Sequence, residues 1–337
     1  MLTALPYAST DLQVQRDGEE NFPSQPSQLK APLAVSEHSI KYYCEFVKQK
    51  VAFFFRIMYT VSVLYVKKVL YYMFRHFPRV ILPVIPSAVL LGIFYRQSRT
   101  LTFIRDYGQA ADVSIGGVFG MLFQPSLVYY FVLVPAFFVA VSFSCSFLLT
   151  MVYKHFRTGK LSVRMPMSNV NHGLESVMPT VAIIIVTLLA YKALFACVVS
   201  LLSEIFVPDG HPGGAMTAIV TILGIATYVT VIYFAIYPLM TSSFMLVYGY
   251  TFKDAISEAL RAGGKNDRGA VIVGYSLPFV LNLIVSYIMM ATEAPVPVVA
   301  VADVIIQLFA VTYLTLFSII SVFTQQKIER VDLKKLY

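Results

Sequence analysis

The sequence predicts an all-α, polytopic membrane protein of about six transmembrane helices, with amphipathic helices at its cytoplasmic interface. Hydrophobic residues make up 58% of the 337 and charged residues only 13%, against roughly 25% charged in a soluble domain. That much apolar surface needs a bilayer as solvent. Long apolar runs recur along the chain, and Lys and Arg gather between them. The formal charge of +8 therefore reads as membrane topology, and no basic patch is large enough for nucleic acid. Cys44, Cys145 and Cys197 are widely separated, at neither metal nor disulfide-framework spacing.

Taken in order, residues 1–37 are rich in Ser, Pro, Gln and acidic side chains without helical or strand period, the composition of a disordered tail. The opening MLTALPYASTD lacks the basic flank and apolar core of a signal peptide, so insertion is expected to rest on the internal spans. Residues 38–79 thread Lys and Arg through many Tyr and Phe. Rings at headgroup depth and long snorkelling cations are what an interfacial helix needs, so Lys48, Lys50, Arg56, Lys67, Lys68, Arg75 and Arg79 are candidate contacts to anionic lipid headgroups. Within this segment 51–66 is apolar enough for a short span, but Arg56 interrupts it, at about 2.5 to 3.5 kcal/mol for a charge at a helix centre. A surface helix is the favoured reading; a span there would make seven crossings and put the termini on opposite sides.

The membrane domain is expected over 80–323. Its first span, 80–95, is short enough to begin slightly earlier, with Pro83 and Pro86 placed to kink it. Residues 96–123 read as a mixed loop. Gly116 and Gly120 have GxxxG spacing there, but the segment is too short and polar for a dimer motif, and a flexible or partly inserted stretch is expected. The second span, 127–153, contains Pro135 and the small residues Ser142, Ser144, Cys145 and Ser146, which allow close helix packing or, alternatively, line a solute path. The third, 177–206, exceeds the roughly 20 residues a crossing needs. It holds Lys192 and Glu204, candidates for an intramembrane polar site; at 100° per residue they stand about 120° apart and cannot readily pair. The fourth span covers 215–237 and extends toward 248.

Residues 251–267, TFKDAISEALRAGGKND, form an amphipathic elbow. Phe252, Ala255, Ile256, Ala259 and Leu260 share one face and Lys253, Asp254, Glu258 and Arg261 the other. Thr251 and Asp254 have capping-box spacing, and Gly263 with Gly264 supply a C-terminal stop. A helix on the membrane surface is expected. Spans at 269–290, with Pro278 inside, and 298–323 follow. Asp303, near the entrance of the last, joins Lys192 and Glu204 as a candidate polar site, with an interfacial carboxylate as the plain reading. Residues 324–337 form a basic tail.

With six crossings, twenty Lys and Arg fall on one side, in 41–79, 154–164, 253–268 and 327–335, and only Arg96, Arg99 and Arg105 on the other. The positive-inside rule then puts both termini in the cytoplasm.

No HExxH, Walker loop, GxSxG, CxxC or paired carboxylates occur, and the five His are scattered. Neither an enzyme, nor a cofactor, nor a metal is expected. The order of long span, FKDAISEALRAGGKNDRG elbow, long span, short turn, long span and the tail KIERVDLKKLY resembles bacterial six-span families related to the membrane domain of certain glycerophosphodiester phosphodiesterases. The likeness covers about 161–337. It implies a bacterial cytoplasmic membrane and no catalytic residues, since catalysis in such relatives belongs to a separate soluble domain. Two functions follow as expectations. One is a non-enzymatic scaffold or assembly factor that meets a protein partner through its cytoplasmic helices and tail; the other is a transporter or lipid-handling protein with a cavity near Lys192. Homo-oligomerisation stays open.

Overall fold

The computed structural model of the chain describes residues 63–96, 100–110, 113–123, 129–207, 212–262 and 268–325. Contacts divide the chain into Met1–Val51, wholly outside the described residues, and Ala52–Tyr337, which holds every element below. Lys48, Lys50, Arg56, the Gly263 and Gly264 stop and the tail beyond Gln325 also lie outside the described residues. The described residues form helices and no strand.

Helix α1, Val63–Arg75, meets α2, Phe77–Ile81, at a bend of 97°. Pro78 in the first turn of α2 explains the new start, since a proline there lacks only an N–H that has no intrahelical partner. A 3-10 turn at Leu82–Val84, holding Pro83, leads to α3, Ile85–Arg96. Then come α4, Thr100–Gly108; α5, Ile115–Leu122; a π turn, Tyr129–Leu133, that opens α6, Val134–Thr158; α7, Met167–Phe206; α8, Gly214–Tyr248; α9, Phe252–Ala262; α10, Arg268–Ala291; and α11, Val296–Gln325. Among the described residues five helices are long and apolar enough to cross a membrane, and the bent α1 to α3 segment makes up to six. The expected spans are therefore present, with α7 starting ten residues before the apolar run, as one helix of 40 residues.

Helix α11 is the centre of the bundle, packed on α3, α6, α8 and α10. Its second half is buried on nearly every side, with Tyr313, Leu316, Phe317, Ile319, Ile320, Val322 and Phe323 in the core. Small residues set the closest approaches. A Cβ on Gly173 of α7 would lie 2.4 Å from Thr150 Oγ1 and 2.5 Å from Ser146 Oγ of α6. The packing reading of the serine run is thus observed: Ser142, Ser144 and Ser146 are buried, and Ser146 donates to Val170 O at 2.9 Å. The other pair of glycines behaves differently. Gly116 meets only Ser114 Oγ, at 4.0 Å, and Gly120 meets nothing within 4 Å, so GxxxG is no helix contact here.

Where the sequence suggests a loop, α4 and α5 instead fold as short helices against α7 and α8. Phe103 and Tyr107 insert beside Phe195, Val199 and Val220, and Tyr107 Oη is hydrogen-bonded to Ser203 Oγ at 2.7 Å. The elbow forms as expected. Asp254 N donates to Thr251 Oγ1 at 3.4 Å and Thr251 Oγ1 donates to Asp254 Oδ2 at 2.6 Å. Gly249, at φ 67°, ends α8 in the left-handed region and turns the chain back. Ala255 and Ala259 are wholly buried and α9 packs on α8, so its inner face meets protein, with Leu260 left exposed.

Candidate functional site

Two anchors fix how the helices are aligned. Tyr313 Oη donates to Gly274 O at 2.8 Å, so these residues of antiparallel α11 and α10 are level. Ser243 Oγ donates to Ser318 Oγ at 2.9 Å and does the same for α8 and α11. Eight residues from the first anchor, Asn282 of α10 is level with Ile305 of α11. Asp303 and Gln307 lie two residues to either side, about 3 Å each at the helical rise, and Ser286 is level with Val301. Fifteen residues back from the second anchor, Tyr228 of α8 is level with Asp303. By this alignment Gln307, Asn282, Asp303 and Ser286 fall within a stretch of about 9 Å along the two helices.

Helical spacing turns all four inward. Asn282 and Ser286 continue the buried face that runs through Val271, Tyr275 and Pro278. Asp303 and Gln307 are four residues apart and share a face with Val311. Lipid-side positions on the same turns are apolar: Leu283, Ile284, Tyr287, Val301 and Ile305 are exposed. Asp303 is only 2% exposed, Ser286 5%, Asn282 6% and Gln307 7%. Tyr228 reaches across from α8, donating to Phe279 O of α10 at 3.2 Å. Asn282 Oδ1 and Ser286 Oγ are buried without a hydrogen-bond partner. An unsatisfied polar atom in apolar surroundings is costly, and Ser142, Thr150, Ser200, Thr312 and Ser321 carry others elsewhere in the bundle.

Farther along α11 the polar residues become small. Thr312, Thr315, Ser318 and Ser321 are buried, and Thr315 and Ser318 bond back to carbonyls of their own helix, which is a structural use.

The three candidates on the apolar spans are not brought together. Lys192 is half-buried at the contact of α7 with α5, its Nζ 5.2 Å from the centre of the Phe123 ring, a cation–π arrangement. It does not line the lateral groove of about 420 Å³ between α7 and α8, whose apolar wall includes the neighbouring Tyr191, Phe234, Pro238 and Leu260. Glu204 is exposed near the end of α7. Asp303 is the correction: the plain interfacial reading fails, because it faces into the bundle about two turns inside α11. Asn282, Ser286 and Gln307 escaped the sequence reading. Their signal is i, i+4 spacing of polar groups inside apolar runs, opposite leucine, isoleucine and valine.

A second correction concerns Lys68. Expected at lipid headgroups, it is 2% exposed and its Nζ donates to Thr324 Oγ1 of α11 at 3.2 Å. It belongs to the stripe Tyr65, Lys68, Val69, Tyr72, Met73, the buried face of α1; Lys67, one position back, is exposed, as are Arg75 and Arg79. Around Lys68 the basic segments converge. Tyr72 Oη is hydrogen-bonded to His155 Nδ1 at 2.7 Å, Phe156 stacks on both Tyr72 and Phe323, and Arg79 donates to Leu161 O at 3.5 Å.

No protein-family model, curated protein or solved structure matches the chain. The fold and the junction define its class: an α-helical integral membrane protein with a polar cluster inside its apolar spans.

Proposed function

We propose that the chain is a non-enzymatic membrane transport protein whose solute contacts the junction of Asn282, Ser286, Asp303 and Gln307. The buried Asp303 carboxyl carries this reading, because an ionisable side chain inside a span is costly and marks a substrate or ion path in membrane proteins. Pro278 in α10 interrupts that helix's hydrogen-bond ladder one turn from Asn282, which suits a site that opens to one side at a time. Lys192 takes no part in this reading.

The experiment is cysteine accessibility. With Cys44, Cys145 and Cys197 replaced, Ser286→Cys is exposed in sealed vesicles to a membrane-impermeant thiol reagent. Labelling from the side of the 292–295 turn supports a water-reachable path. Complete protection in folded protein would favour the second reading, a scaffold.

That second reading draws on the basic end. The stems of the N-terminal segment, the 154–164 connection and the tail meet there through Tyr72, His155, Phe156 and Phe323, a rigid aromatic platform beneath exposed Lys67, Arg75 and Arg79. In both readings these cations face anionic lipid headgroups of a bacterial cytoplasmic membrane, with the termini inside.

A further inference from the structure

We infer that the lateral groove between α7 and α8 seats one acyl chain of an anionic glycerophospholipid from the leaflet at the basic end, with Lys253 of α9 at the lipid phosphate. The site is separate from the polar junction and independent of the transport reading. Its first ground is shape. A recess of about 420 Å³ lies between the turns at 184–191 and 231–238, within two helices long and apolar enough to cross a membrane. Ile184, Leu188, Val231 and Phe234 make its walls mainly apolar. A concave apolar site that opens sideways at this depth suits a hydrocarbon chain.

Depth is the second ground. Pro238 and Val231 mark the two ends of the groove on α8, about 15 and 25 Å from Tyr248 at the basic end of that helix. One leaflet with its headgroup region is about 20 to 22 Å deep, half of the whole bilayer. The groove therefore lies at acyl-chain depth and reaches the middle of the membrane.

The third ground is charge complementarity on α9. Ala255 and Ala259 pack on α8, and Leu260, half exposed, borders the groove. Lys253 comes seven residues before Leu260, about 20° from it around the helix and about 10 Å nearer the helix start, close after Gly249, the cap of α8. The acidic side chains of this helix are engaged locally: Thr251 Oγ1 donates to Asp254 Oδ2, and Arg261 donates to Glu258 Oε1. Lys253 is exposed, and among the described residues it has neither an ion pair nor a hydrogen bond. An exposed ammonium in line with Leu260, at the basic end of α8, complements a phosphate whose chain runs past that leucine into the groove.

The test uses the purified full chain in phosphatidylcholine nanodiscs. The chain has no tryptophan, so Phe234→Trp places a single fluorescent reporter in the groove wall. Ile222→Trp, at a position of α8 that is 68% exposed, reports lipid outside the groove. Brominated-chain phosphatidylglycerol or brominated-chain phosphatidylcholine is titrated in, and the Tm of each variant checks its fold. Half-quenching at Phe234→Trp should need about fivefold less phosphatidylglycerol than phosphatidylcholine, the contribution of one Lys near a headgroup. Ile222→Trp should show no preference. Lys253→Gln should erase the preference, as should raised salt with Lys253 in place, whereas Lys253→Arg and Lys67→Gln should keep it. Equal quenching by the two lipids at Phe234→Trp would mean bulk lipid contact only and would overturn the proposal. A preference that survives Lys253→Gln or high salt would overturn it too. Quenching of Ile222→Trp but not of Phe234→Trp by either lipid would do the same, leaving the groove to a second copy or another protein.

Discussion

Tyr313 supplies the hydrogen bond that Pro278 removes. A proline has no N–H for the carbonyl four residues before it, and for Pro278 that carbonyl belongs to Gly274, to which Tyr313 Oη of α11 donates at 2.8 Å. The interrupted turn of α10 is closed from the neighbouring helix, one turn from Asn282.

Tyr313→Phe should destabilise the folded protein by about 1–3 kcal/mol, the penalty for a buried carbonyl left unsatisfied. Pro278→Ala restores the N–H, so the same Tyr313→Phe change should then have a smaller effect. A double-mutant cycle in nanodiscs, read by thermal unfolding, measures the coupling; equal losses in both backgrounds would refute it.

Gly173→Ala should destabilise by about 1–3 kcal/mol, because its methyl group has no room against Ser146 and Thr150. Gly120→Ala meets open space within a helix, and should be stabilising by up to about 1 kcal/mol through helix propensity. Opposite signs in Tm are the expected outcome. Matching signs would mean that α6 and α7 are not joined as described.

Lys67 and Lys68 are neighbours in sequence and opposites in environment. Lys68→Glu puts a carboxylate where an ammonium meets Thr324, and should lower stability by more than about 3 kcal/mol. Lys67→Glu should stay within about 0.5 kcal/mol. Detergent-solubilised yield and Tm of the two variants decide the point.

For topology, reporter fusions after Gly213 should be active outside and those after Lys265 inside, with the basic end in the cytoplasm. Reversed activities would invert the orientation, while like activities on both sides would break the count of crossings.

Much of the bundle was legible in the chain because a span needs only a long apolar run, and the runs ending in Phe206 and Tyr248 are unmistakable. Helices α4 and α5 were not. At nine and eight residues they are too short to hold by propensity, and stand through contacts such as Tyr107 with Ser203 that join positions 96 apart. Residue type made Lys68 look like a headgroup anchor, yet the period Tyr65, Lys68, Val69, Tyr72, Met73 already assigned it to the inner face. The junction shows the same limit. Asp303 was visible as a charge in a span, but its companions on α10 come into register only once the turn at 292–295 and the Tyr313 bond align the helices.

Helix α7 bears on how the protein tolerates its surroundings. Its 40 residues extend about 60 Å, twice the roughly 30 Å of hydrocarbon in a typical bilayer. Val186, Leu188, Leu194, Leu201, Ile205 and Phe206 line its outer face, broken by exposed Glu204 near one end, while exposed His172 and Glu175 make its first turns polar. The apolar run 177–206, about 45 Å long, still exceeds the hydrocarbon thickness, so a bilayer thickened by a few ångströms meets little mismatch along this helix. Vertical position is set instead by α10, whose 24 residues span about 36 Å. The hairpin that carries the polar junction is also the one that feels membrane thickness.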